Sequence, residues 1–200
     1  MVKMFTGIIK TTGKIVDVKS EGKGKRTKIE CKDEIKLKEG DSISIDGACI
    51  TIEKVDGKIF EVFLSEETLK TTKFGRILRR GYPVNLEPAL KIEDRFGGNF
   101  VKANVDGIGK IKKILKNREE MRIEIEFDKN FEKYLYQKAQ IAIDGISLTL
   151  FERKGNRGIF KIIPYTYKNT TISLKRKEEL VNVEFDIFAK IIENLLKGGK

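Results

Sequence analysis

The feature that most constrains the fold is an internal repeat. Residues 42–52 read SISIDGACITI and residues 140–150 read QIAIDGISLTL, an interval of 98 residues (140 − 42). The same interval separates Thr68 from Thr166 (166 − 68). Matching segments at a fixed interval indicate a duplicated structural unit, so we predict two copies of one domain.

Two further matches extend the repeat along each copy. VNLE at residues 84–87 returns as VNVE at residues 181–184, and GKI at residues 13–15 returns at residues 109–111. These intervals are 97 (181 − 84) and 96 (109 − 13), and drifts of this size indicate small insertions or deletions in loops. The predicted domains are residues 1–96 and 97–186, followed by a tail at residues 187–200.

Both copies read as short β-strands. Apolar and polar residues alternate, with the period of a half-buried strand, at residues 27–31, 42–45, 59–63 and 121–127. Asp56-Gly57 and Gly155-Asn156 are turn sequences at matching places in the two copies. Short strands at regular spacing indicate closed barrels, so the predicted fold class is all-β with one barrel in each copy.

The tail differs from the barrels. Its apolar residues recur at helical spacing and form one stripe, which consists of Ile187, Phe188, Ile191, Ile192, Leu195 and Leu196. A helix of about three turns is marginal alone, so the stripe packs either on its own barrel or against copies of itself in an oligomer. The periodicity leaves both alternatives open.

Composition excludes several classes of site. The chain contains no histidine, which excludes histidine acid–base catalysis and the usual histidine-bearing zinc sites. Cys31 and Cys49 are too few for a disulfide scaffold, so we expect two thiols. The chain has no apolar run of about 18 residues and no secretory leader, so we expect a cytoplasmic protein without a membrane partner.

The charge pattern bears on binding partners. The net charge is +11, but acidic residues are interspersed with the lysines along nearly the whole chain. Such a spread is typical of a solvated surface, and the interleaved aromatic residues of a nucleic-acid-stacking face are missing. We therefore expect no nucleic-acid partner.

The motifs of the chain, in their order, resemble those of the riboflavin synthases. MFTGI at residues 4–8 is followed by DSISIDGACITI, EETLKTT, VNLE, FGGN, VDGIG, IAIDGISLTL, IPYTYKNTT and VNVE. The resemblance covers nearly the whole chain and includes both copies of the repeat. The lumazine proteins are a related group that shares the fold without the reaction.

The resemblance implies two tandem six-stranded Greek-key β-barrels, a C-terminal α-helix, and a homotrimer assembled through that helix. It also implies a reaction in which two molecules of 6,7-dimethyl-8-ribityllumazine exchange a four-carbon unit and give riboflavin and 5-amino-6-ribitylamino-pyrimidinedione. No cofactor or metal is implied. Each barrel would hold one substrate molecule, and the active site would lie between the first barrel of one subunit and the second barrel of its neighbour.

The resemblance also assigns site residues. The implied substrate-binding residues are Gly7, Ser42, Thr51, Thr68, Asn99, Asn104, Lys138, Thr149, Ile163 and Thr166. The implied catalytic residues are Phe5, Thr6, Cys49, Ser147 and Asp186. Small hydroxyl and thiol groups on strands can bond the edge of a pteridine and leave room for its flat ring. The alternative for each hydroxyl is an ordinary strand residue.

Several thiol and acidic residues have specific alternatives. Cys49 is a nucleophile or a polar contact, or else a buried, inert thiol. Asp186 accepts a proton or orients Ser147, or else it is a solvated carboxylate. Asp46 and Asp144 are expected to shape Asp-Gly turns and not to take part in chemistry.

The chain departs from the family pattern at three positions, and one of them is Phe63, where relatives often have an aspartate. Riboflavin synthases usually carry histidines in a GGHxxxxHVDG-like stretch, where this chain has Asn99 and Asn104. Asparagine does not titrate near neutral pH, so proton transfer by these two side chains is lost. The alternative function is therefore a non-catalytic lumazine- or riboflavin-binding protein.

Overall fold

The computed structural model describes residues 4–91, 93–116 and 120–198. Within these residues it contains two closed, six-stranded β-barrels. The strands of the first barrel are β1 Thr11–Glu21, β2 Gly24–Cys31, β3 Ser42–Ile45, β4 Ala48–Asp56, β5 Ile59–Leu64 and β6 Pro83–Pro88. The strands of the second barrel are β7 Gly107–Lys116, β8 Met121–Glu126, β9 Gln140–Ile143, β10 Ile146–Lys154, β11 Arg157–Ile162 and β12 Leu180–Phe185.

The strand order is the same in both barrels. The first closes in the order β1-β2-β5-β4-β3-β6, and the second in the order β7-β8-β11-β10-β9-β12. The pairing of β2 with β5, and of β6 with both β1 and β3, is a Greek-key arrangement of antiparallel strands. The prediction of two tandem six-stranded barrels is confirmed.

The alternating segments form strands as predicted, at residues 27–31, 42–45, 59–63 and 121–126. Phe127 lies one residue beyond β8, and its backbone N–H donates to the carbonyl of Asn156. Within β8, Met121, Ile123 and Ile125 are buried, and the residues between them are half-buried. One face of each strand fills the barrel interior, which is why the sequence has a period of two.

Each barrel encloses its own hydrophobic core, and each core also receives a residue from the segment that leads into the other barrel. Ile9, which precedes β1, is buried in the core of the second barrel. Val105, which precedes β7, packs against the core of the first barrel. The two barrels are therefore interlocked by their entering segments.

Short helices connect the strands or follow them. They are α1 Glu66–Thr71, α2 Phe74–Ile77, α3 Pro164–Asn169 and α4 Ile187–Leu196, with 3-10 helical turns at Lys129–Tyr134 and Thr171–Leu174. None of the helices among residues 4–91, 93–116 and 120–198 is long and apolar enough to cross a membrane. The predicted domain ranges also include residues 1–3, 92, 117–119 and 199–200, which lie outside the described residues.

The two Asp-Gly turns face each other between the barrels. Asp46 and Asp144 have φ angles of 45° and 47°, and the glycines that follow have φ angles of 82° and 76°. Left-handed conformations of this kind favour Asp-Gly in two-residue hairpins. A Cβ atom on Gly47 would lie 2.8 Å from the backbone nitrogen of Gly145, so the turns are in close contact. Asp46 and Asp144 do shape turns, as predicted.

Two buried asparagines make symmetric, reciprocal contacts between the barrels. Asn85 Nδ2 donates to the carbonyl of Asp144 at 2.9 Å, and Asn182 Nδ2 donates to the carbonyl of Asp46 at 2.8 Å. These asparagines belong to the repeated VNLE and VNVE motifs. The repeat in the sequence is thus a pair of reciprocal contacts in the structure.

One buried lysine breaks this symmetry. Lys73 Nζ lies 2.9 Å from Asp46 Oδ2 and 2.6 Å from Asp144 Oδ2, and all three side chains are fully buried. Lys175 Nζ forms a further ion pair with Asp144 Oδ2 at 2.6 Å. The repeat position of Lys73 is occupied by Thr171 (171 − 73 = 98), so the repeat does not predict this contact.

Helix α4 confirms the predicted helical tail, and it turns its apolar stripe away from its own barrel. Lys190 on its polar side forms an ion pair with Asp106 at 2.8 Å, and Glu193 accepts a hydrogen bond from Tyr134. Ile187 at the start of the stripe is half-buried, and the other five stripe residues are 48–84% exposed, namely Phe188, Ile191, Ile192, Leu195 and Leu196. The alternative in which the stripe packs on its own barrel is therefore wrong.

Candidate functional site

A hydroxyl group on the second barrel lies at the centre of a polar row. Ser147 is on β10, and its Oγ accepts a hydrogen bond of 2.5 Å from Asn99 Nδ2. Asn99 Nδ2 also donates to Gln140 Oε1 at 3.0 Å, and Gln140 Nε2 donates to Thr149 Oγ1 at 3.3 Å. Gln140 pairs directly with Thr149 across β9 and β10, so neighbouring strands fix this row.

A cavity of about 330 Å³ lies beside the polar row. Its lining from the segments that enter the barrels includes Thr6, Gly7 and Asn99. Its lining from the second barrel includes Ser147, Thr149, Ile163 and Thr166. The structure therefore brings together seven of the residues that the family resemblance assigned to the site. The volume of this cavity falls in the lower part of the range of about 300–1,000 Å³ that is usual for small-molecule sites.

A smaller cavity of about 180 Å³ adjoins the same row. Asn99 and Ser147 line both cavities, and Asp186 lines the smaller one. Asp186 Oδ1 accepts a hydrogen bond of 2.8 Å from the backbone N–H of Phe188, so it caps the start of α4. The amide of Asn99, and not Asp186, bonds Ser147 Oγ.

The first barrel carries the corresponding predicted side chains. Ser42 on β3 pairs with Thr51 on β4. Cys49 also lies on β4, between Thr51 and the Asp-Gly turn. Cys49 is half-buried and occupies the repeat position of Ser147 (147 − 49 = 98). Thr68 is half-buried on α1. The two barrels thus present these groups on equivalent elements.

Neither cavity is lined by the four predicted residues of the first barrel, and three further predicted residues also lie away from the walls of both cavities. Phe5 is fully buried and forms an antiparallel bridge with Val101. Asn104 is exposed, and its backbone N–H donates to Glu184 Oε2 at 3.1 Å. Lys138 is exposed in the turn before β9, and its backbone is left-handed, with a φ angle of 64°. Contact between these three side chains and a ligand stays a prediction.

Sequence reasoning missed several lining residues of the larger cavity, and they include the polar residues Gln140, Tyr165 and Asn169. Gln140 lies at the repeat position of Ser42 (140 − 42 = 98), so the repeat itself was a signal that could have identified it. Tyr165 and Asn169 line the cavity from α3. Only the three-dimensional position of α3 beside β10 could have identified these two, because neither belongs to a repeated pair of like residues.

Two buried carboxylates lie close to the site. Burial raises the pKa of Glu184 to about 7, against the opposing effect of the Lys102 backbone N–H. Burial likewise raises the pKa of Glu87, although Thr6 donates to its carboxylate. Glu184 lines the smaller cavity together with Ser147. In a chain without histidine, it is thus a group at the site that changes protonation near neutral pH.

The cavity suits a flat heteroaromatic ring that carries polar groups. Ile8, Ile146 and Ile163 supply aliphatic wall, and the hydroxyls of Ser147 and Thr149 supply hydrogen-bonding groups. A hydroxyl can donate or accept, and an amide can do both at once. Such a lining can bond ring nitrogens, ring carbonyls and a polyol side chain.

The family comparison matches each barrel separately. The family model described as the lumazine binding domain matches residues 6–89 and again residues 102–186. The riboflavin synthase of Actinobacillus pleuropneumoniae is 35% identical over 194 residues, covering 96% of this chain and 90% of the relative. The riboflavin synthase of Chlamydia pneumoniae is 36% identical over 197 residues, covering 97% of this chain and 96% of the relative.

Solved structures with the same fold include those of LumP. LumP complexed with riboflavin superimposes with a TM-score of 0.83 at 20% identity, covering 91% of this chain and 99% of LumP. LumP complexed with 6,7-dimethyl-8-(1'-D-ribityl) lumazine gives a TM-score of 0.80 with the same coverage. The chain therefore belongs to the riboflavin synthase family, with one lumazine-binding domain in each of its two barrels.

Proposed function

We propose that the protein is a riboflavin synthase. It converts two molecules of 6,7-dimethyl-8-ribityllumazine into riboflavin and 5-amino-6-ribitylamino-pyrimidinedione by transfer of a four-carbon unit. The proposal rests on the duplicated lumazine-binding domain in a chain whose relatives at 35% identity are riboflavin synthases. Two equivalent barrels suit a reaction that consumes two copies of one substrate.

The proposed chemistry depends mainly on orientation. The 7-methyl group of the lumazine is acidic because its anion is delocalised over the pteridine ring. Two ligands that are held face to face react in an effectively intramolecular step, and good orientation of this kind contributes about 7–11 kcal/mol. No metal or cofactor is part of the proposal.

We assign Ser147 and Cys49 to equivalent edges of two bound pteridines, because they occupy equivalent positions in the repeat. Ser147 Oγ accepts its hydrogen bond from Asn99, so its own proton remains available for a ring nitrogen or carbonyl of the ligand. Thr149 and Thr166 on the same cavity are assigned to the ribityl hydroxyls. Together with Asp186, Phe5 and Thr6, Cys49 and Ser147 form the proposed catalytic set.

A second candidate function is a non-catalytic lumazine- or riboflavin-binding protein. It is favoured by Asn99 and Asn104, which occupy the positions of the family histidines. Asn99 bonds Ser147 Oγ through an amide that cannot take up a proton near neutral pH. Loss of a proton-transfer group costs about 10²–10⁴ in rate where that group is used. Both functions use the same cavity, so turnover is the property that separates them.

We also propose that α4 assembles a homotrimer. Its exposed apolar stripe continues into Phe100, whose ring centroid lies 5.4 Å from that of Phe188. Contiguous exposed apolar surface of this kind marks an interaction site. Residues 187–200 are then the oligomerisation segment, and residues 1–96 and 97–186 are the proposed domains.

The deciding experiment for the enzyme is incubation of the purified protein with the lumazine, followed by riboflavin fluorescence. We expect riboflavin to form faster than in buffer. Tight binding of the lumazine with a rate equal to that in buffer would favour the binding protein. The double variant Asn99→His with Asn104→His is a useful companion, because it should increase turnover if proton transfer limits the rate.

A further inference from the structure

Two short segments of the chain cross from one barrel to the other. Residues 5–7 precede the first barrel, yet the carbonyl of Gly7 accepts a hydrogen bond of 2.9 Å from the Ser147 backbone N–H. Residues 102–104 precede the second barrel, yet the carbonyl of Ala103 accepts a hydrogen bond of 2.8 Å from the Cys49 backbone N–H. Each site residue is therefore fixed by the segment that leads into the opposite barrel.

The first of these segments is held by a buried carboxylate. Glu87 lies on β6 and is 2% exposed. Its Oε1 accepts hydrogen bonds from the backbone N–H of Thr6 at 2.7 Å and from Thr6 Oγ1 at 2.8 Å. Its Oε2 accepts a hydrogen bond of 3.0 Å from the backbone N–H of Gly7. Both carboxylate oxygens of Glu87 thus accept hydrogen bonds from the backbone of Thr6 and Gly7.

The second segment is held in the same way. Glu184 lies on β12 at the repeat position of Glu87 (184 − 87 = 97) and is 5% exposed. Its Oε1 accepts a hydrogen bond of 2.8 Å from the backbone N–H of Lys102, and its Oε2 accepts one of 3.1 Å from that of Asn104. The residue between these two donors is Ala103, which contacts Cys49.

There is little space for the segment and the site residue to shift relative to each other. Gly7 has a φ angle of 73°, and a Cβ atom on it would lie 2.4 Å from Ser147 Cβ. Ala103 also has a left-handed backbone, with a φ angle of 56°, which an alanine adopts only when its surroundings impose it. The carboxylate bonds on either side of Ala103 supply that constraint.

We propose that Glu87 and Glu184 are positioning residues that act crosswise, each setting the geometry of the ligand site in the opposite barrel. Glu87 of the first barrel holds Gly7 against Ser147 of the second, and Glu184 of the second barrel holds Ala103 against Cys49 of the first. The inference rests on the proposed function only in treating Ser147 and Cys49 as ligand-site residues.

A glutamine at either position distinguishes this role from simple filling of space. Glutamine has nearly the same shape as glutamate, but one of its two terminal atoms is a donor. In Glu87→Gln an NH₂ group faces the N–H of either Thr6 or Gly7, and in Glu184→Gln it faces that of Lys102 or Asn104. Each substitution therefore places one hydrogen-bond donor against another, and this loosens one segment. The volume of the core is unchanged.

The test is an amide-resolved titration with riboflavin as the probe. The backbone amides of Ser147 and Cys49 report the two sites separately in ¹⁵N spectra, both by their shifts on titration and by their hydrogen-exchange rates. The variants are Glu87→Gln and Glu184→Gln. Glu124→Gln is the matched control, because Glu124 is a strand carboxylate that pairs with Arg157 at 3.1 Å and contacts neither segment.

We expect Glu87→Gln to weaken riboflavin binding reported by Ser147 by about tenfold and to speed exchange of that amide by a similar factor. Riboflavin binding reported by Cys49 should change less than about threefold. Some change is expected there because the bridge between Phe5 and Val101 joins the two segments. Glu184→Gln should give the reverse pattern. Glu124→Gln should change neither site.

Equal effects on both sites, or effects on the site in the same barrel as the substitution, would overturn the crosswise arrangement. Absence of riboflavin binding in the unsubstituted protein would instead contradict the proposed function. The exchange rates of the two amides need no ligand, so they decide the positioning role in either case. If a glutamine variant does not fold, Glu87→Asp or Glu184→Asp retains the charge and shortens the reach, and the same site-specific pattern is expected.

Discussion

Lys73 Nζ in the first half of the chain lies 2.6 Å from Asp144 Oδ2 in the second, and both side chains are fully buried. With Asp46 and Lys175 they form a neutral cluster of two carboxylates and two ammonium groups between the barrels. Burial raises the pKa of Asp46, and Lys73 only partly offsets this effect. Burial also acts on Asp144, but Lys175 and Lys73 outweigh it and lower the pKa.

Removal of the Lys73 charge should destabilise the protein strongly. Lys73→Met leaves Asp46 buried without its ammonium partner, and loss of one member of a buried ion pair costs about 3–5 kcal/mol. Urea unfolding of the variant should show this loss, and adding Asp46→Asn should restore most of it because the cluster is neutral again. Lys19→Met, which removes an exposed ion pair with Asp17, should change stability by less than about 1 kcal/mol. A loss below about 1 kcal/mol for Lys73→Met would show that the cluster contributes little.

The stability of the protein should depend on the protonation of Glu184. Burial raises its pKa from 4.5 to about 7 in the folded state, so the folded state holds this proton more tightly than the unfolded state does. The stabilisation that this proton gives the folded state is therefore complete below about pH 4.5, and roughly 3 kcal/mol of it is lost as the pH rises to about 7. Glu184→Gln lacks this titration. In urea unfolding between pH 4.5 and 8, the stability of the unsubstituted protein relative to the variant should fall up to pH 7 and then stay level. A difference that does not change with pH would contradict the raised pKa.

The apolar stripe of α4 should control the number of subunits. Truncation after Asp186 removes the stripe, and Ile192→Glu places a charge in its middle, so both should lower the oligomeric state in sedimentation experiments. Asn194→Glu adds the same charge on the other side of the helix and should leave the subunit number unchanged. An unchanged subunit number in both the truncation and Ile192→Glu would show that α4 does not hold the oligomer together.

Cys49 and Ser147 should differ in their effects although their positions are equivalent. In the proposed reaction one ligand donates four carbons and the other accepts them, so the two sites contribute unequally to the transition state. Cys49→Ala should reduce turnover about tenfold or more while changing affinity little, and Ser147→Ala should reduce affinity at least as much as turnover. Single-turnover kinetics and ligand titration measure the two effects. Equal losses for both variants would show that these residues only shape the pockets.

The repeat and its alternating strands carried most of the information about the fold. The 98-residue interval between Asp46 and Asp144 predicts two copies of one unit, and the period of two predicts strands that close into barrels. The polar row around Ser147 was also accessible, because its members belong to repeated motifs or to the stretch that contains Asn99.

Contacts that break the repeat were not accessible from the sequence. Lys73 reads as one surface lysine among many, and only the meeting of the two Asp-Gly turns places it between two carboxylates. The crossing of Gly7 to Ser147 joins residues 140 positions apart (147 − 7), and no periodicity links them. The outward direction of the α4 stripe likewise depends on how its polar side docks through Lys190.

The ratio of products is the measurement that most directly tests the proposed dismutation. The purified protein is incubated with 6,7-dimethyl-8-ribityllumazine in the presence of EDTA, and substrate and products are quantified by chromatography. We predict that two lumazine molecules disappear for each riboflavin and each ribitylamino-pyrimidinedione formed, at a rate well above that in buffer. Formation of riboflavin no faster than in buffer, with the lumazine bound and unchanged, would contradict the enzyme and support a binding protein.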